Sequence, residues 1–395
     1  MHRRRMAVRA LLGGVLATGL VLAAAPAAAA PPENLTEVDA GPYSLADNGS
    51  FDTLEPWVSS LDGKLPVTPF ADVVADGNRE ARELCQDTGI DGATGFCWNE
   101  GDENTADWYP QGLTGSWDAT ESGSYEGHRA MFASWYNKTG DKGVRVSLVN
   151  YDDPANPTYR HILLVEPTSG EDFKQVDVHA GGIAWVGNHL YVVDTSKGVR
   201  VFDLRHLWKT EPDETGSKIG KGDDGKYYAY NYGYALPQVG AYSQEGSGDC
   251  DPPPDQLNDP LCFSYVGVDR GSSPPSLLTG EYYNGAGGAR LVRWPFDPST
   301  GLLEGGSSVA ASKAYQSPYQ NMQGAVSYED TFLMTRSRGA DTRGLLYRTT
   351  VGEAGSESTI PAGPEDLSYQ AAEQRAWTLG EHPGNRPVFS IPDGS

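Results

Sequence analysis

Residues 181–204 constrain the fold more than any other part of the chain. They read Gly181-Gly182-Ile183-Ala184-Trp185-Val186-Gly187-Asn188-His189-Leu190-Tyr191-Val192-Val193-Asp194, then pass through Lys197-Gly198 into Val199-Arg200-Val201-Phe202-Asp203-Leu204. Apolar residues alternate or run together, as in strands that are half or fully buried. Gly187-Asn188 is a two-residue hairpin turn, because Gly and Asn tolerate a positive φ. Ser196-Lys197-Gly198 supplies a second turn. The stretch predicts three short antiparallel strands. Three strands cannot bury both faces alone, so the unit needs neighbours of its own kind.

The rest of the chain supplies them. Units of the same pattern start near 111, 181, 263, 323 and 365. Each is an apolar strand, a turn, a second strand with a polar end, a Gly-containing turn and a third strand. The second strands end in Trp135-Tyr136-Asn137, Asp194-Thr195-Ser196, Glu281-Tyr282-Tyr283, Arg336-Ser337-Arg338 and Glu381-His382-Pro383. The turns that follow use Gly143, Gly198, Gly288, Gly344 and Gly384. High Gly and Pro contents, with 21 Tyr and only 5 Met, fit many short strands and turns.

Repeats of this kind predict an all-β, five-bladed β-propeller, each blade burying its faces against the next. From about residue 105 to 392 the repeat pattern resembles secreted members of the β-propeller superfamily. It matches no one family in that superfamily, so the resemblance implies a fold and no catalytic residues. Six blades is the alternative if residues 40–105 hide another unit, and a pair of β-sandwiches is the competing architecture. The fifth unit ends near the C-terminus without a fourth strand. A strand from the N-terminal region, between residues 38 and 67, is expected to complete it. The domain reading is a leader over 1–30, an irregular and helical extension over 31–104 with one helix over 70–84, and the propeller over 105–395.

Residues 1–30 read as a secretory signal peptide. Arg3, Arg4, Arg5 and Arg9 precede a short apolar run, and Ala28, Ala29 and Ala30 offer small-residue cleavage positions. The run is too short to span a membrane comfortably. The whole chain carries 30 Lys and Arg against 53 Asp and Glu. With the four leader arginines removed, the net charge is about −27, which repels nucleic acid and anionic membranes. The expected protein is exported, soluble and monomeric.

The four cysteines fall in two equal intervals, Cys85 to Cys97 and Cys250 to Cys262. In an exported chain this spacing favours local disulfides, Cys85–Cys97 and Cys250–Cys262, although three pairings are formally open. It does not match zinc-ligand spacing.

Aligning the units on Leu113, Ile183, Ala325 and Leu367 makes Gln111, Gly181, Gln323 and Glu365 equivalent. Tyr109, His179, Asn321 and Gly363 stand two residues earlier. In a ring the first strands converge, so Gln111, His179, Asn321, Gln323 and Glu365 are expected to form a polar ligand-binding collar with Asp366 beside it. Glu365, Asp366, Asp194 and Glu381 are the candidate catalytic carboxyl groups, since facing carboxylates suit glycoside cleavage. Glu126-Gly127-His128-Arg129 is a further tetrad in which Glu and His could share a proton. No cofactor is called for. Calcium is the one ion to consider, in the acidic loop around Asp213, Glu214, Asp223 and Asp224 or at His179, Glu365 and Asp366. Most aromatics are expected to fill the wedges between blades, with Tyr282-Tyr283 the best candidate for exposure. Tyr227 to Tyr234 alternate like a strand with one aromatic face. The leading functional expectation is an extracellular protein that binds a saccharide or other small polar ligand. The alternatives are an extracellular glycoside hydrolase or lyase, and a protein scaffold using loops 209–226 and 245–260.

Overall fold

The computed structural model describes residues 33–246, 250, 260–284 and 288–393; the leader lies outside them. The chain is a β-propeller. Among the described residues, five four-stranded antiparallel sheets follow one another. The first sheet uses Trp108–Gly115, Ala130–Asn137, Val144–Asn150 and Thr158–Ser169. The second uses Ile183–Val186, His189–Asp194, Gly198–Asp203 and Tyr234–Ser243. The third uses Tyr265–Asp269, Ser276–Gly280, Ala289–Asp297 and Lys313–Ser317. The fourth uses Met322–Tyr328, Thr331–Arg336, Arg343–Thr350 and Ser356–Ala362. The fifth uses Ser368–Gln370, Arg375–Leu379, Pro387–Pro392 and, from the N-terminal side of the chain, Thr94–Cys97. The hairpin at 183–194 turns on Gly187, whose φ is 56°, as its sequence requires.

The innermost strands touch in chain order, and the fifth returns to the first. Glycine makes that contact close. A side-chain carbon on Gly112 would stand 2.6 Å from Ile183 N, one on Gly267 2.5 Å from Ala325 O, and one on Gly324 2.7 Å from Asp366 Cα. Gly182 meets Val266 in the same way. These positions have no room for a Cβ, which is why the sequence keeps them as glycine. Where the fifth strand meets the first, Asp366 replaces glycine. Its Oδ2 accepts hydrogen bonds from Leu113 N at 3.3 Å and Ile183 N at 3.0 Å, tying the last sheet to the first two.

The closing strand corrects an expectation. It is Thr94–Cys97, not a strand between 38 and 67. Thr36–Val38 instead lies outside Lys313–Ser317, and Ser44–Ala46 bridges the edges of Ser308–Ala310 and Tyr234–Ser243. The 70–84 helix is also shorter than expected. It spans only Phe70–Ala75, ended by Asp76 and by Gly77, which packs on Thr158. Arg79–Glu80 and Arg82–Glu83 are drawn into edge pairing with Thr158–Ser169 and Thr94–Cys97. A longer helix, Ser50–Asp62, lies on the outer strand of the second sheet. Gly240 leaves the space that the Phe51 ring fills. The expected aromatic strand breaks at Tyr230, whose φ is 55°. Most tryptophans fill the wedges between sheets. Trp185 packs with Phe70, Tyr125 and Phe132, while Trp98 meets Trp135 and Tyr159.

Both disulfides take the local pairing, Cys85–Cys97 and Cys250–Cys262. Among the described residues no helix is long and apolar enough to cross a membrane.

Candidate functional site

One end of the ring holds a cavity of about 310 Å³ lined by Gln111, His179, Gly181, Thr195, Cys250, Cys262, Ser264, Tyr282, Gln323 and Glu365. Four of the five collar residues, Gln111, His179, Gln323 and Glu365, therefore share one cavity. Each is carried there at the start of an inner strand, so ring closure makes the site. Asn321 is not among the lining residues. Its backbone is held by Tyr283 O and Ser337 N at a φ of 55°.

The central observation is a pair of carboxyl groups. Glu365 N donates to Leu379 O and Glu381 N to Gly363 O, both at 3.0 Å, around the bridge Pro364–Gly380. This register puts the Glu365 and Glu381 side chains on one face of a two-stranded ribbon, a diagonal step apart. Diagonal neighbours lie about 7–8 Å apart, within reach of one another for long side chains. Two amides hold the pair. Gln111 Nε2 donates to Glu381 Oε2 at 3.1 Å, and Gln323 Nε2 donates to Glu365 Oε1 at 2.9 Å. His382 Nε2 stands 3.5 Å from Glu381 Oε1.

The environment of Glu365 is unusual. It is 2% exposed. Burial, then the charge of Glu381, raise its pKa well above the ordinary carboxyl value, against the opposing Gln323 amide. Glu365 therefore keeps its proton where an ordinary glutamate has lost it. With Oε1 accepting from Gln323, Oε2 is the oxygen left to carry that proton. Burial and then the same two glutamates, Glu381 ahead of Glu365, push the Tyr136 hydroxyl up to about 12. Tyr136 packs on His179 at 4.5 Å and on Tyr109 at 5.7 Å. His179 is exposed at the cavity, yet the protein atoms crowded around its ring desolvate it and lower its pKa.

Two candidate carboxylates do other work. Asp194 lies against Arg200, with Oδ2 3.0 Å from both Nε and Nη2, and is a structural ion pair in the second sheet. Asp366 is the floor of the ring. Its burial pushes its pKa well up, against the backbone N–H groups it accepts. Those N–H groups close Oδ2 to a cation, so the expected gathering of His179, Glu365 and Asp366 around an ion does not form. Oδ1 of Asp366 has no partner. Asp213 accepts from Thr215, Ser217 and Lys218, and Asp224 from Lys226 and Tyr228, as turn-stabilising side chains. The one cluster of metal-ligating residue types among the described residues, Cys85, Cys97 and Glu103, contains a disulfide and offers no thiolate. His128 pairs with Asp152 at 2.7 Å rather than with Glu126.

The sequence reading missed Thr195, Ser264 and the Cys250–Cys262 disulfide as parts of the cavity, and Tyr136 as the ring behind His179. The ends of the second strands carry Tyr136, Thr195 and Tyr282, and that recurrence was the available signal. It also missed a buried Trp135, Ser147, His161 and Asp102 chain. Trp135 Nε1 donates to Ser147 Oγ at 2.8 Å, Ser147 meets His161 Nδ1 at 2.9 Å, and His161 Nε2 reaches Asp102 at 3.1 Å. Ser147 and His161 are 0% and 2% exposed, so this triad-like geometry is sealed from solvent and serves the fold rather than nucleophilic chemistry. A second cavity, of about 370 Å³, lies at the far end of the third and fourth sheets. Its buried Arg293 already donates to Asp269, Ser276, Ser327 and Tyr315.

No protein-family model matches the chain, and no curated protein matches it. Among solved structures, the GH43_1 enzyme from Xanthomonas citri complexed with xylotriose aligns with a TM-score of 0.37 and 7% sequence identity, covering 85% of this chain and 93% of that one. RS223 β-xylosidase aligns with a TM-score of 0.33 and 7% identity, covering 72% and 92%. Hydrazine synthase from Kuenenia stuttgartiensis gives 0.27 and 9%, covering 72% and 74%. Similarity this low carries no argument about fold or chemistry, which rest on strand pairing and side-chain geometry.

Proposed function

We propose that the chain is an exported, monomeric, five-bladed propeller that cleaves a glycosidic bond of an uncharged saccharide at the mouth of its ring. The observation that carries the reading is the Glu365–Glu381 pair. Glu365 lines the cavity, Glu381 stands behind it bonded to the lining residue Gln111, and burial and then the charge of Glu381 raise the pKa of Glu365. In this reading Glu365 donates its proton to the glycosidic oxygen as the C–O bond breaks. Glu381 acts opposite it, either attacking the anomeric carbon or taking a proton from the water that does. A water adds across the bond in total, so no oxidant or cofactor is required. Gln111 and Gln323 hold the two carboxyl groups in place. Tyr136 and His179 offer neutral hydrogen-bonding groups to sugar hydroxyls. Among the described residues the lining carries no Lys or Arg, and the carboxyl pair repels an anionic sugar.

The test is hydrolysis of a panel of 4-nitrophenyl glucopyranosides, galactopyranosides, xylopyranosides and arabinofuranosides, with thermal shift measured in parallel. Glu365→Gln is expected to lower kcat by about a hundredfold or more, the usual share of a general acid. Wild-type cleavage should fall as pH rises through the raised pKa of Glu365, because the acid form does the work. A second reading is a saccharide-binding protein, favoured by the amides that already saturate one oxygen of each carboxyl group. A melting-temperature rise with a sugar and no cleavage of any substrate would move the assignment to binding. The scaffold reading has less support. Among the described residues the exposed large apolar side chains are Val67, Tyr282 and Val351, which lie on different parts of the ring and form no patch.

A further inference from the structure

The wall of the cavity across the ring from the carboxyl pair is built differently from the rest. Gln111, Gln323 and Glu365 come from the first, fourth and fifth sheets. Ser264 and Tyr282 flank strands of the third sheet, which stands opposite the first and fifth in a ring of five. Cys250 and Cys262 complete this wall, both facing the cavity. Tyr282 is 38% exposed, while its neighbours Glu281 and Tyr283 are 3% and 2% exposed. An aromatic ring held out between two buried neighbours, beside polar groups, suits the C–H face of a sugar ring.

The backbone of this wall is fixed without the disulfide. Cys262 N donates to Glu281 Oε1 at 2.9 Å, and Glu281 is clasped by Arg290 at 2.6 and 2.7 Å. Tyr282 N donates to Ser264 Oγ at 2.8 Å, and Phe263 N to Thr195 O at 2.8 Å. The Gln244 amide bonds both Leu261 N and Leu261 O at 2.7 Å. What the disulfide adds is the Cys250 side of the wall, with its sulfur 3.8 Å from Thr195 O.

We propose that Tyr282 and the Cys250–Cys262 disulfide form a positioning subsite that holds the apolar face of a neutral sugar ring against the Glu365–Glu381 pair, and that this disulfide serves the site rather than the stability of the fold. The proposal rests on the saccharide reading above.

The experiment compares Tyr282→Ala, Tyr282→Phe and Cys250→Ser/Cys262→Ser with the wild type on the best-cleaved 4-nitrophenyl glycoside. Tyr282→Ala and the double cysteine variant should each raise KM about tenfold while kcat stays within about threefold, the mark of lost ground-state binding. Their melting temperatures should stay within about 4 °C of the wild type. Tyr282→Phe should restore KM. If the double cysteine variant fails to fold, its stability claim is refuted, and Tyr282→Ala still tests the subsite. Unchanged KM in Tyr282→Ala, with the wild type active, overturns the subsite while leaving the hydrolase intact. If the wild type binds sugars without cleaving them, the same comparison is made on Kd, and an unchanged Kd overturns it. A wild type that neither cleaves nor binds any of these glycosides overturns both proposals.

Discussion

Cys85–Cys97 and Cys250–Cys262 enclose loops of equal length, and their Cα atoms are 5.8 Å apart in both. They stand in very different surroundings. Cys97 ends the strand that completes the fifth sheet, and Cys85 follows the short edge strand paired to it. Next to this crosslink is a dense polar belt. Buried Asp102 accepts from Arg145 at 2.9 Å, Tyr159 at 2.7 Å and His161 at 3.1 Å, with Arg79 3.2 Å away. Fully buried Arg386 donates to Asp102 O at 2.8 Å and Thr105 O at 2.9 Å, and its own N–H reaches Glu103 Oε1 at 3.0 Å. Cys250–Cys262 instead faces a cavity beside an exposed tyrosine. Equal local spacing thus yields a clasp in one place and a wall in another. Position in the ring decides which.

The hardest blow to the clasp is Asp102→Ala. It strands Arg145 in a buried site and removes the acceptor of Tyr159 and His161. Breaking such a pair costs roughly 3–5 kcal/mol, read as a fall in the urea midpoint. KM of the folded fraction should not move. An unchanged midpoint would mean that the belt does not hold the ring closed. Next is Cys85→Ser/Cys97→Ser: the chain-entropy term, about 3 kcal/mol, is the same for two loops of equal length, so the difference between the double variants is set by the native contacts around each crosslink, a polar belt at Cys97 and a cavity wall at Cys250. Its melting temperature should fall further than that of Cys250→Ser/Cys262→Ser, with KM unchanged. Equal losses in the two double variants would erase the distinction between clasp and wall.

A smaller effect separates the two regions by pH. Donors from His161, Arg145 and Tyr159 overcome burial and hold the Asp102 carboxyl well below its ordinary pKa. Its contribution is present above the unfolded value and is lost as pH falls. Asp118, at the opposite end of the ring from the cavity, runs the other way. Burial raises it to about 6, against hydrogen bonds from Ser368, Thr114 and Gly115. The folded state therefore holds a proton that the unfolded state releases, and this contribution declines as pH rises from about 4 to 6, by at most about 3 kcal/mol. Glu365 and Asp366 tilt the whole-protein curve in the same direction, so the wild type minus Asp118→Asn difference isolates the effect. A flat difference between pH 4 and 6 would refute it.

Much of the ring was legible in single residues. Gly187-Asn188 fixed one hairpin, and the second strands of the second and fourth units end at Asp194 and Arg336, where their polar ends were expected. The collar alignment brought Gln111, His179, Gln323 and Glu365 to one cavity, although Asn321 is not among its lining residues. The closing strand was not legible. Thr94–Cys97 is four residues with Gly95 inside, and it is a strand because Pro387–Pro392 offers it an edge. Nor was the helix Ser50–Asp62, which carries Pro56 in its interior and depends on packing against the second sheet. Asp194 looked as catalytic as Glu381 in sequence; Arg200 made one an ion pair, and Gln111 drew the other to the site.

The sequence alone determined what is encoded within a few residues: strand alternation, turns at Gly, and disulfides across short loops. These follow from a period of two and from φ preferences, and both act locally. Only the tertiary structure decided which segment closes the ring, why Asp366 stands where Gly112, Gly182 and Gly324 are its counterparts, and which two of the 53 acidic residues are drawn together. The first two outcomes depend on backbones hundreds of residues apart meeting at one axis; the third depends on the pairing around Pro364–Gly380 and on the desolvation that ring closure imposes on it.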